Sequence, residues 1–498
     1  MAEWQRRFWS TTASGYVWVV TRLVLGLVLF RTMFQQFSHA EFGFWSLLWS
    51  LFGYGILLDF GFGFTAQKAV AEKSATGDIA GLSKLLATIL WTFIGMAAIL
   101  LVVFLCIRDP FMSRMGVLAA DRVEFGRAYT VFFIGLAVMF PLGVFPEILR
   151  GLQRIDLANW VGTLTTVCNF GVLYWGLMAH WSLWLLMCVS VVSSITPNII
   201  AAVMAIRRLP SISLSPKWFE WRAVRLQMGF SIAAYLITFS NMLMAKSDQL
   251  VISLTLGVAL VAIYQAGYKM GEMLGLLSVQ LQQVLSPAAA EMYARGDDSG
   301  LRTLLIRSSR LMFLVVTPCY LLSAVYLEPL IGLLTGMTSV PRNTWWIGQA
   351  LLLAVYSSQI TNGCAKRVLM MCGEEKRLLS IALTEAAANV VLSIILAYQV
   401  GVLGVAIGTM IPTILVGWLW VLPLTINKLA LPLRTYLAYH LQGTLLPLVV
   451  FALILAALAR WCPAADHSGF IALGWRGLLC MVPLLFLGRR VIREMSRP

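Results

Sequence analysis

The sequence predicts an all-α polytopic membrane protein of about fourteen transmembrane helices, arranged as two pseudo-symmetric six-helix lobes followed by two C-terminal helices. Three observations support this prediction. Of the 498 residues, 60% are hydrophobic and only 12% are charged, well below the roughly 25% charge of a soluble domain. Apolar runs of about 20 residues, the length that crosses a hydrocarbon core, recur along the whole chain. A sequence motif also recurs at a fixed spacing of 219 residues.

The predicted spans follow one another with short polar connections. No connection exceeds roughly twenty residues, which is too short for a soluble domain of about 50 residues. The first seven spans are predicted at residues 16–36, 42–66, 85–107, 128–149, 157–178, 181–206 and 226–256. The second seven are predicted at residues 259–286, 311–334, 345–371, 378–398, 402–426, 439–460 and 470–487.

The distribution of basic residues predicts the topology. The chain carries a formal net charge of +15, which by itself could indicate a nucleic-acid partner. With the N-terminus inside, however, 26 of the 37 basic residues fall on the cytoplasmic side and seven on the opposite side. Cytoplasmic loops are enriched in lysine and arginine, so we expect both termini in the cytoplasm and no nucleic-acid partner.

An internal repeat supports the two-lobe arrangement. The segment "GDIAGLSKLL" begins at Gly77, and "GDDSGLRTLL" begins at Gly296. "RGLQRIDL" before Asn169 and "CGEEKRLL" before Asn389 recur at a similar offset. Six spans separate the copies, so the halves share one orientation, as in transporters built from parallel repeats around a central cleft. The predicted divisions are an N-lobe at residues 1–210, a C-lobe at 211–430, and helices thirteen and fourteen with a basic tail at 431–498.

Seven ionisable side chains well inside the predicted spans are the candidate functional residues. Each costs about 2.5–3.5 kcal/mol at a helix centre on an insertion scale, so it should face protein or a water-filled cavity. They occur in spans one, two, seven and eight, which are corresponding elements of the two lobes. Their net charge of +1 favours an anion such as a phosphate or uronic acid over a lipophilic cation. These residues are Arg22, Arg31, Asp59, Lys246, Asp248, Lys269 and Glu272.

Structural interpretations remain open for the charges of the first two spans. Arg22 lies about six residues inside its span, so its side chain could snorkel to the interface. Arg22 and Arg31 are nine positions apart, which places them on opposite faces of a straight helix. Asp59 could neutralise Lys68, or belong to a helix broken at a nearby glycine.

The eighth span admits structural interpretations as well. Lys269 and Glu272 are three positions apart and share a helix face, so they could form a simple internal ion pair. Lys246 and Asp248 are two positions apart and need partners elsewhere. The same span carries glycines at four-residue spacing, a pattern that favours a close helix-packing face over a ligand contact. These glycines are Gly267, Gly271 and Gly275.

Other sequence features argue against an enzyme. The chain contains no Gly-x-x-x-x-Gly-Lys-[Ser/Thr] phosphate-binding loop. Its eight cysteines are scattered without Cys-x-x-Cys spacing, and its four histidines are isolated, so we expect no metal site and no cofactor. With no soluble domain or large loop to hold catalytic groups, the sequence favours a transporter.

Four segments carry a resemblance to a known family. They read "EFGFWSLLWSLFGYGILLDFGFGFTAQKAVAEKSATGD", "KSDQLVISLTLGVALVAIYQAGYKM", "LSPAAAEMYARGDDSGLRTLL" and "ANVVLSIILAYQVGVLGVAIGT". In these segments the chain resembles the polysaccharide-unit (O-antigen type) flippases of the multidrug/oligosaccharidyl-lipid/polysaccharide exporter (MOP) superfamily, which includes the MATE transporters. The resemblance runs from about Gly15 to Leu424.

The resemblance implies a flippase of a bacterial inner membrane that moves polyprenyl-pyrophosphate-linked oligosaccharide to the outer leaflet by alternating access. The implied partners are that lipid-linked glycan, membrane lipids and a polysaccharide polymerase or chain-length complex. The family's Asp-x-Gly motif matches at Asp59 and its helix-seven aspartate at Asp248. The cations carry over as candidates for a cationic cavity, and Asp59 is expected to pair with Arg22 in one state. Those cations are Arg22, Arg31, Lys246 and Lys269.

Two alternative functions remain open from the residues. One is a cation-coupled multidrug exporter of the same superfamily, with Asp59, Asp248 and Glu272 as proton or sodium sites. Such an exporter would carry an excess of acidic residues in the cleft, whereas the seven intramembrane residues have a net charge of +1. The other is a membrane-embedded glycan transferase or polymerase, which needs a cluster of acids or bases, whereas Glu328 and Asp466 stand alone.

Overall fold

The computed structural model describes residues 2–461, except for 56–61, 64, 68, 71–77, 116, 118–120, 153–154, 223–227, 284, 286–288, 290–291, 294 and 443. This described part contains helices and no strands, as the sequence predicts. In the first half of the chain the helices are α1 (Ala2–Gln36), α2 (His39–Gly55), α3 (Ile79–Cys106), α4 (Arg108–Arg114), α5 (Arg122–Leu142), α6 (Val144–Gly151), α7 (Ile155–Met178) and α8 (Leu183–Arg208).

The second half continues with the same kind of elements. Two π-helical turns, Gln359–Gly363 and Gly417–Val421, interrupt long helices there. The helices are α9 (Met228–Thr255), α10 (Ala259–Gln283), α11 (Asp298–Val325), α12 (Leu327–Thr335), α13 (Arg342–Ser358), α14 (Cys364–Met371), α15 (Glu375–Val400), α16 (Val402–Val416), α17 (Leu422–Lys428), α18 (Leu433–Leu441) and α19 (Leu445–Trp461).

Some of these helices are long and apolar enough to span a membrane. Among the described residues, seven helices are long and apolar enough to cross a bilayer, or eight if the bent pair α18 and α19 counts as one span. Helices α1, α9 and α10 coincide with predicted spans but carry the intramembrane charges discussed above. The last predicted span, residues 470–487, lies outside the described part of the chain, so the count of fourteen stays a prediction.

The chain divides into two compact units. The first comprises Met1–Met242 with Gly257–Val261, and the second comprises Leu243–Leu256 with Ala262–Pro498. In the first unit, α3, α6 and α8 bury a common apolar core that includes Leu86 and Ile148. In the second unit, α19 packs on α11 through Leu314 and Phe451.

The internal repeat is visible in the lengths and positions of the helices. Helices α3 and α11 are both 28 residues long and begin 219 positions apart, at Ile79 and Asp298. Each helix from α2 to α8 begins 219 or 220 positions before its counterpart in the second half. The sequence repeat is therefore a repeat of structure along almost its full length.

The aspartates of the repeated motif have the same role in both halves. Asp78 Oδ1 accepts a hydrogen bond from the backbone N–H of Gly81 at 2.9 Å, at the start of α3. Asp297 Oδ1 accepts one from the N–H of Gly300 at 2.8 Å, at the start of α11. These bonds cap the helices, and the Gly300 N–H holds the pKa of Asp297 below its usual value. A Cβ at Gly300 would lie 2.2 Å from the Asp297 carboxylate, which explains the glycine of the motif.

The glycine stripe of α10 is a helix-packing surface, as the sequence favours. A Cβ built on Gly267 would lie 2.9 Å from the backbone nitrogen of Gly348 on α13. At Gly271 the nearest atom is a Val355 methyl at 3.3 Å, and at Gly275 a Val355 methyl at 3.8 Å. The two helices therefore approach most closely at Gly267 and diverge toward Gly275.

This gradient predicts a difference between two otherwise identical substitutions. Gly267→Ala should destabilise the protein by about 1–3 kcal/mol, because the new methyl group meets backbone that cannot rotate away. Gly275→Ala is the matched control and should be neutral or slightly stabilising, since alanine favours helix and the site has room. Thermal unfolding of the purified variants measures both effects. Equal unfolding temperatures for the two variants would contradict the packing interpretation.

Candidate functional site

A cavity of about 500 Å³ lies within the first unit, lined by α1, α2, α6, α7 and α8. Its wall is largely apolar but carries charged, hydroxyl and amide side chains, for which it is here called the polar cavity. Three tryptophans and two arginines contribute to its wall. The remaining polar lining consists of hydroxyl and amide side chains. Its polar and aromatic lining residues are Trp18, Arg22, Trp45, Trp49, Arg150, Asn159, Thr165, Thr166, Asn169, Ser190, Ser193, Ser194 and Asn198.

Arg22 is the predicted site residue that lines this cavity. Its guanidinium carbon lies 5.9 Å from the centroid of the Trp18 ring, within cation–π range. Gly162 on α7 leaves room for the Trp18 indole, because a Cβ there would lie 2.9 Å from its Nε1. No carboxylate among the described residues forms an ion pair with Arg22. Within the described part of the chain, the charge of Arg22 is therefore available to an anionic ligand.

The hydroxyl groups of the wall are oriented as hydrogen-bond acceptors. Thr165 donates to the carbonyl of Val161 at 2.8 Å, and Thr166 donates to that of Gly162 at 2.7 Å. Ser194 donates to the Ser190 carbonyl at 2.8 Å. Because each hydroxyl proton is used within its own helix, the lone pairs remain for donors of a ligand. Asn169 Oδ1 is buried without a hydrogen-bond partner.

A second polar feature, here called the Asp248 network, lies in the second unit. The Tyr264 hydroxyl donates to Asp248 Oδ2, and Thr409 Oγ1 donates to the same oxygen at 2.7 Å. Asn389 Nδ2 donates to Thr409 Oγ1 at 2.8 Å, and Ser247 donates to Asn389 Oδ1 at 3.1 Å. Asp248 is only 3% exposed, and its other oxygen, Oδ1, has no hydrogen-bond partner.

The two features occupy corresponding positions of the repeat. Asn389 corresponds to Asn169 at an offset of 220, and Thr409 corresponds to Ser190 at an offset of 219. The counterparts of Tyr264 and Asp248 at that offset are Trp45 and Leu29, and all four counterparts line the polar cavity. The same framework thus encloses an open cavity in the first unit and a closed network around a carboxylate in the second.

The remaining predicted residues are distributed differently. Lys269 Nζ and Glu272 Oε2 form an ion pair at 2.7 Å on α10, the structural interpretation that the sequence left open. Lys246 is half-buried on α9 in the second unit, and Arg31 is half-buried on α1 outside the wall of the polar cavity. Asp59 and its motif partner Gly61 lie outside the described residues.

Two further acidic residues within helices are neutralised locally. Glu147 forms an ion pair with Arg150 on the same helix, beside the polar cavity. Glu385 is almost fully buried and pairs with Lys366 at 3.2 Å. No group of three or more histidine, cysteine, aspartate or glutamate side chains that could hold a metal occurs among the described residues.

Sequence reasoning missed most of the cavity wall. It identified Arg22 by its charge, but it did not select the three tryptophans, the hydroxyl side chains of α7 and α8, or the partners of Asp248. The signal that could have found several of them is the repeat offset itself. Asn169 and Asn389 mark that offset, and applying it to the neighbouring helices connects Ser190 with Thr409.

Solved structures share this fold across nearly the whole chain. The lipid II flippase MurJ, in an inward closed conformation, matches with a TM-score of 0.73 at 14% identity, covering 97% of this chain and 100% of that one. An inward-facing multidrug resistance MATE family transporter of the MOP superfamily matches with a TM-score of 0.64 at 14% identity, covering 82% and 98%. The Vibrio cholerae MATE transporter VcmN in its bent form matches at 0.56 and 14% identity, covering 87% and 98%.

The family relationship comes from the sequence. No curated protein sequence gives a significant match. The profile of a family described as "Polysaccharide biosynthesis protein" matches residues 37–339, which is more than half of the chain. That match includes α2 to α12 and therefore most of the polar cavity and Asp248. The chain therefore belongs to this polysaccharide biosynthesis family, and it shares its fold with MurJ and the MATE proteins.

Proposed function

We propose that the protein is a flippase for polyprenyl-pyrophosphate-linked oligosaccharides, which it moves from the cytoplasmic to the outer leaflet of a bacterial inner membrane by alternating access. The observation that carries the proposal is the polar cavity of the first unit. Its volume of about 500 Å³ lies within the range of small-ligand sites, roughly 300–1,000 Å³. Its wall combines two arginines, indole rings and hydroxyl and amide groups.

Each component of that wall suits a glycan headgroup. Sugar hydroxyls donate hydrogen bonds, and the wall offers acceptors at Thr165 and Thr166. The C–H faces of a sugar ring pack on indoles such as Trp45 and Trp49. Arg22 supplies a guanidinium that can bind a phosphate or uronate through two parallel hydrogen bonds. A lipophilic cation would bind less favourably in this cavity, because Arg22 would place a positive charge beside it.

The polysaccharide biosynthesis family and the structural similarity to a lipid II flippase, MurJ, support a lipid-linked glycan as the substrate class. The other intramembrane charges remain candidates within this proposal. Arg31, Lys246 and Lys269 would extend the cationic path. Asp59 would pair with Arg22 in one state and release it in the other. The expected partners are the lipid-linked oligosaccharide, membrane lipids and a polymerase or chain-length complex. The transporter has no proposed cofactor and no proposed catalytic step.

A second candidate is a cation-coupled exporter of small molecules. The observation that favours it is Asp248, a buried carboxylate with one oxygen that makes no hydrogen bond. Such a group can accept a proton or contribute to cation binding. In the flippase proposal the same residue has the role of coupling, so Asp248 alone does not decide between the two. The two candidates are distinguished by which substrate the protein transports.

The deciding experiment measures which leaflet holds the lipid-linked oligosaccharide in cells that lack the protein. The sugar is labelled from the periplasmic side with a reagent that does not cross the membrane, and total lipid-linked sugar is quantified after lysis. We expect full-length units to accumulate in the deleted strain while their labelled fraction falls. The wild-type gene should restore labelling, and a gene with a stop codon is the control.

Normal labelling in the deleted strain would contradict the flippase proposal, provided that deletion of any second flippase gene leaves labelling unchanged. In that case export of small molecules is measured next, with a panel of lipophilic cations and a membrane-potential control. Increased retention of those cations in the deleted strain would support the exporter.

A further inference from the structure

A second cavity, here called the arginine cavity, lies in the first unit at the end of α3 opposite to its capped start. It has a volume of about 850 Å³. Its wall includes Arg108 and Asp109 of α4, Arg122 and Arg127 of α5, and Trp184 of α8. Three arginines and one aspartate give this wall a net charge of +2. None of these residues belongs to the polar cavity or to the Asp248 network.

The arginine cavity and the capped start of α3, near the basic connections, lie at opposite ends of that helix. Near the start of α3, Lys84 forms an ion pair at 2.8 Å with Glu220, in the connection that follows α8. Arg108 comes two residues after α3 ends at Cys106. A helix of 28 residues is about 42 Å long, enough to cross the hydrocarbon core. With the basic connections in the cytoplasm, the arginine cavity opens at the outer leaflet.

Topology and the fold do not require Arg108 and Arg127, whereas Arg122 has an arginine, Arg342, as its counterpart at an offset of 220. Positive charge is disfavoured in translocated loops, so topology would select against them at this position. In the second unit, the counterpart of Arg108 at an offset of 219 is Leu327, and the counterpart of Arg127 at 220 is Ile347. Leu327 is 0% exposed and Ile347 is 1% exposed. The repeated framework therefore closes these two positions with apolar side chains, while the first unit keeps them open and cationic.

The guanidinium groups are available to a ligand. Arg108 uses Nε to contact Asp109 Oδ1 at 2.9 Å, which leaves its terminal nitrogens. Arg122 and Arg127 form no ion pair with any described residue, and both are exposed. Several arginine forks around one space match the oxygens of a phosphate group, which accepts bidentate hydrogen bonds.

The wall also has an apolar part that adjoins the lipid-facing surface. Val123 and Val131 line the cavity, and Val123 is 65% exposed. On the neighbouring α3, Val102 is 61% exposed, as expected for a side chain in contact with acyl chains. Trp184 adds an amphipathic ring of the kind enriched at membrane interfaces. A ligand that carries a phosphate and a hydrocarbon chain satisfies both parts of the wall.

From this geometry we propose that the arginine cavity binds the phosphate group of an anionic lipid in the outer leaflet. The shared chemistry is a lipid phosphate, and it has two sources: bulk phospholipid and a polyprenyl phosphate or pyrophosphate. The inference does not depend on the proposed function, because a transporter of any substrate meets bulk phospholipid at this surface.

Native mass spectrometry of the full-length protein in detergent tests the inference. Four probes are titrated: phosphatidylglycerol, polyprenyl pyrophosphate, zwitterionic phosphatidylcholine and inorganic pyrophosphate. The wild type is compared with the double variant Arg122→Gln/Arg127→Gln. The matched control is Arg114→Gln, which removes an exposed arginine of α4 that does not line the cavity. If the double variant is recovered poorly, the single variants Arg122→Gln and Arg127→Gln replace it.

We expect the double variant to weaken binding of at least one anionic lipid by about tenfold or more, and the control to change it by less than about twofold. A loss confined to phosphatidylglycerol identifies bulk phospholipid, and a larger loss for polyprenyl pyrophosphate identifies the polyprenyl lipid. Equal weakening by Arg114→Gln would overturn the inference, because it would indicate a general surface-charge effect. Unchanged binding in the double variant, or equal affinity for phosphatidylcholine or inorganic pyrophosphate, would overturn it as well.

Discussion

Replacing Arg22 by alanine is expected to reduce transport at least about tenfold without unfolding the protein. The side chain lines the polar cavity, and no described carboxylate depends on it for neutralisation. Among the described residues, its removal therefore leaves no carboxylate without an ion-pair partner. A hydrogen bond to a charged group contributes about 1.5–3 kcal/mol, and about 1.4 kcal/mol corresponds to a factor of ten. Transport is measured as periplasmic labelling of lipid-linked sugar in the deleted strain complemented with each variant.

Arg22→Lys is the matched variant for this test. It keeps the positive charge but loses the planar fork that binds a phosphate or carboxylate through two hydrogen bonds. We therefore expect its transport to lie between those of the wild type and Arg22→Ala. Protein levels in the membrane serve as the control for folding. Wild-type transport by Arg22→Ala would show that the polar cavity does not depend on its cation and would contradict the proposed role.

The same assay tests the proposed exchange between Arg22 and Asp59. If the two residues pair in one state, the effect of Asp59→Asn should be smaller in an Arg22→Ala background than in the wild type. Residues that do not interact show additive effects, within about 0.3–0.5 kcal/mol. Additive losses of transport would therefore contradict a switching pair. A non-additive result would show that the two residues are energetically coupled, as a switching pair requires.

The architecture could be predicted from the sequence because its determinants are local or periodic. Apolar runs of bilayer length predict the spans, and the Gly-Asp motif predicts the repeat. The motif can be recognised in the sequence because a helix cap needs an aspartate at a fixed position. In the second copy it also needs a glycine three positions later, where a Cβ would meet the carboxylate. The ion pair of Lys269 and Glu272 could also be predicted from the sequence, since a helix brings residues three apart to one face.

The candidate site could be predicted only in part. An arginine in an apolar span is conspicuous, so Arg22 was identified. The hydroxyl side chains of α7 and α8 were not, because Ser and Thr commonly bond to their own helix and carry no charge that distinguishes a cavity wall from a packed face. The partners of Asp248 lie 16 and 161 residues away, at Tyr264 and Thr409. Such contacts depend on how helices pack, which a single sequence does not specify.

Asp248 is the second residue at which a large effect is expected, and two substitutions separate its structural role from a coupling role. Asp248→Ala removes the acceptor used by Tyr264 and Thr409. Each buried donor left without a partner costs about 1–3 kcal/mol, so the thermal stability of the purified protein should fall clearly. Asp248→Asn keeps the shape and the oxygen that accepts from Tyr264 and Thr409, so we expect it to lose less stability than Asp248→Ala, although its buried amide N–H groups would lack an acceptor.

Transport should nevertheless fall at least about tenfold in Asp248→Asn, because an amide can neither take up a proton nor supply the negative charge that binds a cation. Thr409→Ser is the control, since it keeps the hydroxyl that donates to Asp248 and removes only a methyl group. A stable Asp248→Asn protein with wild-type transport would show that the carboxylate serves the fold alone. In that case the closed network of the second unit would be a structural counterpart of the open cavity in the first, and the coupling group would have to be sought elsewhere in the chain.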